Sequence, residues 1–167
     1  MSKTVLENIN IRPIRQRDNP VLAKIIRDTL TEFKANHPGT VYFDASTDHL
    51  YELFRTPQSF YYVAEIDGNV VGGVGIFPTA GLPEFTCELV KMYLLPSARG
   101  KGLGKLLIEK ALAFAKEAGL RQVYIETMPE LRQAMKVYEK FGFGYLDKQL
   151  GSSGHFGCEI WMLKSLD

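Results

Sequence analysis

The sequence predicts an α/β (α+β) fold, in which a mixed β-sheet carries helices on both faces. Three observations support this prediction. Several short segments have strand-like patterns, two longer segments have helical apolar spacing, and the elements follow the order β-α-α-β-β-β-α-β-α-β-β. The chain has 167 residues, of which 46% are hydrophobic and 23% charged. That size and composition predict one domain over residues 1–167.

The first predicted elements are a strand and two helices. Residues 10–15 alternate polar and apolar side chains, which predicts a strand. Asn19-Pro20 predicts the start of a helix, because Asn caps helices and Pro suits the first turn. Apolar residues then recur with helical spacing, and the His-Pro-Gly stretch at 37–39 predicts the end of this helix. A second, short helix is predicted at 48–54.

The middle of the chain predicts three consecutive strands. Residues 59–66 and 69–77 form two of them, and Asp67-Gly68 between them is typical of a hairpin turn. A third strand is predicted at 85–95, where Pro96 ends it. The remaining predicted elements are a helix from Leu103 that Gly119 ends, a strand at 122–127, a helix at 130–141, and strands at 144–148 and 157–164.

Composition and charge argue against several classes of protein. The formal net charge of +1 gives no general attraction to nucleic acid or to an anionic membrane. The longest apolar run, at 70–77, is interrupted by glycines and is far shorter than the ~20 residues of a membrane-spanning helix. Glu7 comes too early for the apolar region of a secretory signal. We therefore expect a cytoplasmic protein that binds neither nucleic acid nor membrane.

Cysteine and histidine usage does not predict disulfide or metal chemistry. Cys87 and Cys158 are the two cysteines, and both lie in strand-like segments far apart in the sequence. We expect both to be buried, reduced thiols. The three histidines lack clustered acids or cysteines, so no metal site is predicted.

A glycine-rich turn at 99–104, Arg-Gly-Lys-Gly-Leu-Gly, is the most informative segment. Arg99, Lys101 and Lys105 gather where a helix begins, although the partial positive charge of a helix N-terminus normally disfavours cations. Glycines leave backbone N–H groups exposed, and exposed amides with local cations form an anion site. The turn therefore predicts a bound phosphate or pyrophosphate. The alternative is a tight strand-to-helix connection with solvated lysines.

Two common nucleotide-binding patterns do not fit this turn. A P-loop requires Gly-x-x-x-x-Gly-Lys-[Ser/Thr], but Arg99 stands at its first Gly and Leu106 at its Ser or Thr. A Rossmann turn requires Gly-x-Gly-x-x-Gly, and its last Gly falls on Lys105. Both nucleotide-binding interpretations are therefore disfavoured.

The spacing Arg-x-x-Gly-x-Gly does fit a known pattern. With the strand 88–94 before it, the turn resembles the acetyl-CoA motif of the GNAT superfamily of N-acetyltransferases. Residues 134–143 resemble that family's Ala-x-x-x-Tyr-x-x-x-Gly-Phe helix, and the order of elements in the whole chain is also similar. The resemblance implies a mostly antiparallel sheet, in which the strand before the turn splays from a parallel neighbour at 122–127.

The resemblance further implies that acetyl-CoA binds along this strand and turn as a cosubstrate, without a metal. Its pyrophosphate would lie on the amides of the turn, and its pantetheine arm along the strand. A backbone N–H near Met92 would polarise the thioester carbonyl. Dimers are frequent among relatives, so a homodimer is compatible with the resemblance. The implied coenzyme-binding residues are Met92, Tyr93, Leu94, Arg99, Gly100, Lys101, Gly102, Leu103, Gly104 and Lys105.

Two residues are predicted to be catalytic. Glu88 matches the position of a catalytic glutamate in part of the family, and its apolar neighbours would raise its pKa toward neutrality. Its alternative roles are a structural glutamate or a contact for a substrate ammonium. Tyr138 matches the family tyrosine that stabilises the departing thiolate. Its alternative role is a core tyrosine at helical spacing.

Acceptor contacts are expected in the first helical region and in the last hairpin. Tyr42 and Phe43 there offer aromatic faces to an amine, and His155 lies in a loop rich in Gly and Ser. The alternatives are aromatic residues that cover a core edge and a solvated histidine. The sequence thus predicts acetyl transfer from acetyl-CoA to the amine of a small molecule or peptide, by direct attack in a ternary complex. The alternatives are a non-catalytic acyl-CoA-binding or sensing domain and a transferase of another acyl group.

Overall fold

The computed structural model describes residues 8–167, so the N-terminal stretch for which no secretory signal is predicted lies outside them. Within this range the chain forms seven strands and four α-helices in the predicted order. The elements are β1 (Ile9–Pro13), α1 (Asn19–Glu32), α2 (Leu50–Leu53), β2 (Phe60–Ile66), β3 (Asn69–Phe77), β4 (Thr86–Leu94), α3 (Leu103–Glu117), β5 (Gln122–Thr127), α4 (Arg132–Lys140), β6 (Gly144–Leu146) and β7 (Ile160–Ser165).

The strands form one mixed sheet in the order β1-β2-β3-β4-β5-β7-β6. All neighbours pair antiparallel except β4 and β5, which are parallel. Parallel neighbours need a crossover connection, and α3 provides it between β4 and β5. The predicted fold class, a mostly antiparallel sheet with one parallel pair, is confirmed.

Helices cover both faces of the sheet, because successive residues of a strand point to opposite sides. In β2, Tyr61 and Val63 pack in one apolar cluster with α1 and α2. The intervening Tyr62, together with Ala64, packs in the other cluster with α3 and α4. Cys87 and Cys158 are buried and unpaired thiols, as predicted. None of the helices in the described range is long and apolar enough to cross a membrane.

Strand β4 is irregular at the middle of the sheet. Its ladder to β5 covers only residues 86–88, from Thr86 opposite Gln122 to Glu88 opposite Tyr124. From Leu89 to Leu94, β4 has no strand neighbour on the β5 side within the described residues. On the other side, Val90 pairs with Gly75 and Tyr93 with Gly73, so two residues of β4 face one of β3. This β-bulge includes Lys91, whose φ of 52° lies in the left-handed region.

Several predicted boundaries are wrong by two or more residues, and local backbone geometry explains three of them. Helix α1 ends at Glu32 instead of near 37–39, because Lys34 has a φ of 57° and the Ala35 N–H donates back to the Leu30 carbonyl. The second helix starts at Leu50 because His49, with φ of −136° and ψ of 47°, is not helical and separates it from a 3₁₀ turn that ends at Asp48. Strand β7 starts at Ile160, since the Gly157 N–H bonds to the Gly39 carbonyl instead of a strand neighbour.

Candidate active site

A groove of about 670 Å³ lies where β4 diverges from β5, between the N-terminus of α3 and the helix α4. Its walls include the second half of β4, the glycine turn, the end of β5 and one side of α4. Of the predicted coenzyme-binding residues, most line this groove; they are Met92, Tyr93, Leu94, Arg99, Gly100, Gly102, Gly104 and Lys105. The exceptions are Lys101, which is exposed, and Leu103, whose side chain is buried in the core.

The glycine turn presents backbone and open space to the groove. Gly100 and Gly102 have φ values of 75° and 77°, which L side chains rarely adopt, and Gly102 is the N-cap of α3. A Cβ placed on either glycine would meet no atom within 4 Å. The first turn of α3 contains no acidic residue that could neutralise its N-terminal amides. The turn therefore forms an open cradle of backbone amides suited to an anion.

The cations around the turn have different environments. Arg99 donates to both carboxylate oxygens of Glu32, at 2.6 and 3.0 Å, and also to the Leu94 carbonyl. Its guanidinium lies 5.1 Å from the ring centre of Phe33. The Lys105 side chain is 69% exposed, and its ammonium is 3.9 Å from Glu109, a long and weak ion pair, so it can turn toward a ligand. Arg99 thus ties the turn to α1 and β4 through several contacts, which its sequence position did not predict.

Glu88 is buried beside the last rung of the β4–β5 ladder. Its residue is 4% exposed, and burial raises the pKa of its carboxyl to about 7. The hydroxyl of Thr79 donates to Glu88 Oε1 at 2.6 Å, which opposes the rise, while the charge of Glu126 adds to it. A carboxyl with such a pKa can take up and release a proton near neutral pH.

Tyr138 lies on α4 and lines the same groove as Glu88. Its ring packs edge-to-face against Phe143, with 5.8 Å between centroids, and burial raises the pKa of its phenol. Within residues 8–167 the phenol forms no hydrogen bond. Its ring is therefore part of the core, while its hydroxyl remains available to a molecule in the groove.

A second cavity, of about 260 Å³, joins the groove beside Glu88. Glu88, Val90, Lys91 and His155 line both spaces and form the boundary between them. The other residues of this smaller cavity are Asp44, Ser46, Leu53, Phe77, Thr79, Ala80, Ser152 and Ser153. We call it the acceptor cavity.

His155 and two carboxylates form a polar cluster at this boundary. His155 Nε2 is 2.6 Å from Asp44 Oδ2, and His155 Nδ1 is 4.0 Å from Glu126 Oε1. Burial alone would raise the pKa of Asp44, but its hydrogen bond with His155 and nearby positive charges hold that pKa below its usual value. Glu126 accepts hydrogen bonds from Tyr124, Gln149 and Ser153.

The predicted acceptor residues are only partly brought together. His155 lines both cavities, whereas Tyr42 and Phe43 line neither. Phe43 is 60% exposed, and its ring lies 5.1 Å from that of Tyr42, which packs against the cluster under α1. The next residue, Asp44, does line the acceptor cavity.

Sequence reasoning missed Lys91 and Glu126 as site residues. A lysine within the apolar strand Thr86–Leu94 was a visible signal. In a regular strand, however, residues 88 and 91 would point to opposite faces. The bulge at Lys91 breaks this alternation, and both side chains line the acceptor cavity. Within residues 8–167, no group of three or more potential ligand side chains is arranged to hold a metal ion.

Comparisons with known proteins agree with this architecture. A family model described as the acetyltransferase (GNAT) family matches residues 22–143. The chain is 41% identical over 157 residues to YjgM of Escherichia coli K12, described as an uncharacterized N-acetyltransferase, which covers 93% of this chain and 94% of that one. It is 36% identical over 102 residues to human N-acetylaspartate synthetase, which covers 61% of this chain and 32% of that protein.

Among solved structures, the fold is similar to PaiA N-acetyltransferase from Thermoplasma acidophilum, crystallised in complex with coenzyme A. The TM-score is 0.74 at 20% identity, and the match covers 95% of this chain and 99% of that one. The family match over residues 22–143, the relative from Escherichia coli and the mixed sheet with one parallel pair lead to the same conclusion. This chain belongs to the GNAT family and is an N-acetyltransferase.

Proposed function

We propose that this protein transfers the acetyl group of acetyl-CoA directly to the amine of a small molecule, with both substrates bound together. The observation that carries the proposal is the free edge of β4. From Leu89 to Leu94 this edge has no strand neighbour on the β5 side within the described chain, and it connects the glycine turn to Glu88. The backbone N–H and C=O groups along this edge need hydrogen-bond partners. The amides of a pantetheine arm that lies along the edge would supply them.

The residues of the groove fit coenzyme A at both ends. The cradle around Gly100 and Gly102 has the open backbone amides that a pyrophosphate requires. Lys105 is close enough to add positive charge there. Along β4, Met92 and Tyr93 would bond the pantetheine arm, because the Leu94 carbonyl already accepts from Arg99. We assign Arg99 to holding the turn in place and the amides to binding the pyrophosphate.

Acetyl-CoA supplies an activated acyl carbon and a thiolate leaving group. Glu88, with its pKa raised to about 7, would take the proton of the incoming ammonium, directly or through a water. The N–C bond forms, the C–S bond breaks, and the second proton that the nitrogen must lose ends on the departing thiolate to give free coenzyme A. A backbone N–H near Met92 would stabilise the charge that develops on the carbonyl oxygen. The Tyr138 hydroxyl would donate to the departing sulfur.

Cavity size favours a small acceptor over a protein surface. The acceptor cavity holds about 260 Å³, just below the usual range for pockets that bind small molecules. The name of the human relative, N-acetylaspartate synthetase, refers to an acetylated small molecule. This chain matches only 32% of that protein, so its name supports the size of the acceptor and not its identity.

A non-catalytic acyl-CoA sensor is the competing hypothesis. Such a protein would need the cradle and the free edge of β4, but not a buried carboxyl and a phenol in the same groove. Glu88 and Tyr138 both line the groove, which favours an enzyme. A longer acyl group is the second alternative, and the space around Tyr138 would limit its length.

The test measures thiol release from acetyl-CoA with a panel of amines, while mass spectrometry identifies the acetylated product. We expect release that depends on an amine and a product that is heavier by one acetyl group. Coenzyme binding by calorimetry is measured in parallel. Tight binding without release for any amine would favour the sensor, and release only from longer acyl-CoAs would favour the other transferase.

A further inference from the structure

Lys91 is a buried cation that the reaction proposed above leaves without a role. Its residue is 9% exposed and lies at the bulge of β4, where its φ of 52° gives the side chain a direction that a regular strand would not. It lines both the groove and the acceptor cavity. The side chain is thus directed to the region where the two substrates would meet.

The charged groups around Lys91 already have partners of their own. Asp44 pairs with His155 at 2.6 Å, and Glu88 accepts from Thr79 at 2.6 Å. Glu126 is held by three hydrogen-bond donors. Within residues 8–167, the Lys91 ammonium forms no hydrogen bond and no ion pair; the charges of Asp44 and Glu88 act on it only from a distance.

The Lys91 side chain is mostly withdrawn from water, and an ammonium placed there loses part of its hydration and gains no compensating protein contact. Burial accordingly lowers the pKa of Lys91. Ionisable groups that burial perturbs in this way cluster at functional sites. The partner that an ammonium lacks here is an anionic group, and the cavity has room for a small molecule.

We propose that the acceptor is a small amine that also carries a carboxylate, of the amino-acid type, and that Lys91 binds this carboxylate while the amine faces Glu88. This inference rests on the proposed function, since it names the substrate class of the same site. Lys91 would then act as a specificity residue, which selects amines with an anionic group over simple amines. The hydroxyls of Ser46 and Ser152 in the cavity would supply further donors to the carboxylate.

Matched pairs of acceptors test the proposal on the unaltered protein. The panel contains the common amino acids, the carboxamide of each, and simple alkylamines and polyamines, assayed by thiol release from acetyl-CoA. The carboxamide cannot form the charged contact with the ammonium, so we expect at least one amino acid to exceed its carboxamide by about 10- to 100-fold in kcat/KM. Equal rates for acid and amide, or a preference for polyamines, would overturn the proposal.

The variant Lys91→Met links the preference to this residue. Methionine is apolar and similar in length, and it removes a buried charge without leaving a large cavity. We expect KM for the amino acid to rise and its advantage over the carboxamide to disappear, with acetyl-CoA affinity and thermal stability retained. The exposed Lys148→Met is the matched control, which should keep the preference.

Two further outcomes separate this inference from the function on which it rests. If Lys91→Met retains the full preference for the carboxylate, Lys91 does not bind it and the inference is wrong. If no amine of any kind releases thiol although acetyl-CoA binds, the proposed transfer itself fails and the inference fails with it.

Discussion

The two ends of the groove are built in different ways. At the proposed coenzyme end, the site consists of consecutive residues of one turn, where open backbone amides lie beside exposed lysines. At the acceptor end, side chains from several separate segments converge, and two charged ones among them, Glu88 and Lys91, are buried. Glu88 and Lys91 come from β4, Glu126 from β5, and Asp44 and His155 from two loops 111 residues apart.

This difference has an energetic consequence. Exposed cations at the coenzyme end lose little hydration, so they can bind and release a charged cosubstrate cheaply. Burial at the acceptor end raises the pKa of Glu88 and lowers that of Lys91. The charge of each side chain therefore depends on the charge of a ligand beside it. The coenzyme end is therefore suited to holding a common molecule, and the acceptor end to selecting and activating a particular one.

The largest expected effect is at Glu88, where a substitution should abolish most catalysis at the acceptor end and leave binding at the coenzyme end unchanged. For Glu88→Gln we expect kcat/KM to fall by about 100- to 1,000-fold, because the base is lost, while acetyl-CoA affinity by calorimetry is unchanged. The wild-type rate should rise as pH increases through about 7, since only ionised Glu88 accepts a proton. The variant should lose that rise. An equal loss in the exposed control Glu109→Gln, or a retained pH dependence, would argue against Glu88 as the base.

The next effect tests the coenzyme end. Gly102→Asp places a negative charge and a strained side chain in the anion cradle, and we expect acetyl-CoA affinity to fall by about 10- to 100-fold. The control is Gly68→Asp, at the β2–β3 hairpin, where the φ of 80° is close to the 77° of Gly102 and the space is equally open. It introduces similar backbone strain away from the groove. If both variants bind acetyl-CoA equally well, the cradle does not hold the pyrophosphate.

An effect of similar size is expected where the two ends meet, at Tyr138. Tyr138→Phe keeps the ring packing against Phe143 but removes the hydroxyl. A hydrogen bond to a developing thiolate is worth about 1.5–3 kcal/mol, so kcat should fall by about 10- to 100-fold with acetyl-CoA affinity retained. Tyr145→Phe, an exposed tyrosine bonded to Glu139, should leave kcat unchanged. Equal turnover in both variants would remove Tyr138 from the leaving-group role.

The smallest expected effect is a shift in the pKa of Glu88 at the acceptor end, with every reacting group retained. Thr79→Val deletes the hydrogen bond that holds the pKa of Glu88 down. The midpoint of the pH–rate profile should therefore move above 7, while the rate at high pH stays near the wild-type value. Thr86→Val serves as the control, because Thr86 is on the same strand as Glu88 but its hydroxyl bonds to the Glu84 carbonyl and the Gln122 side chain. A shift to lower pH would contradict the assigned direction.

Much of the fold follows from patterns that are local in the sequence. The Asp67-Gly68 turn predicts the β2–β3 hairpin, and Gly119 predicts the end of α3 one residue after its C-cap Ala118. The glycine turn predicts an anion cradle for the same reason, since its amides belong to consecutive residues. Helix ends were less predictable. A left-handed residue such as Lys34 ends α1 early, and nothing about a lysine indicates that conformation.

By itself, then, the sequence determined the order of elements, the cradle and the roles proposed for Glu88 and Tyr138, because each depends on residues close together in the chain or on a family pattern. Only the tertiary structure decided that Arg99 is tied to Glu32, that Tyr42 and Phe43 lie outside the cavities, and that Lys91 shares a cavity with Glu88. These facts depend on one bulge and on contacts between distant segments, where burial sets the energies and linear spacing carries no information.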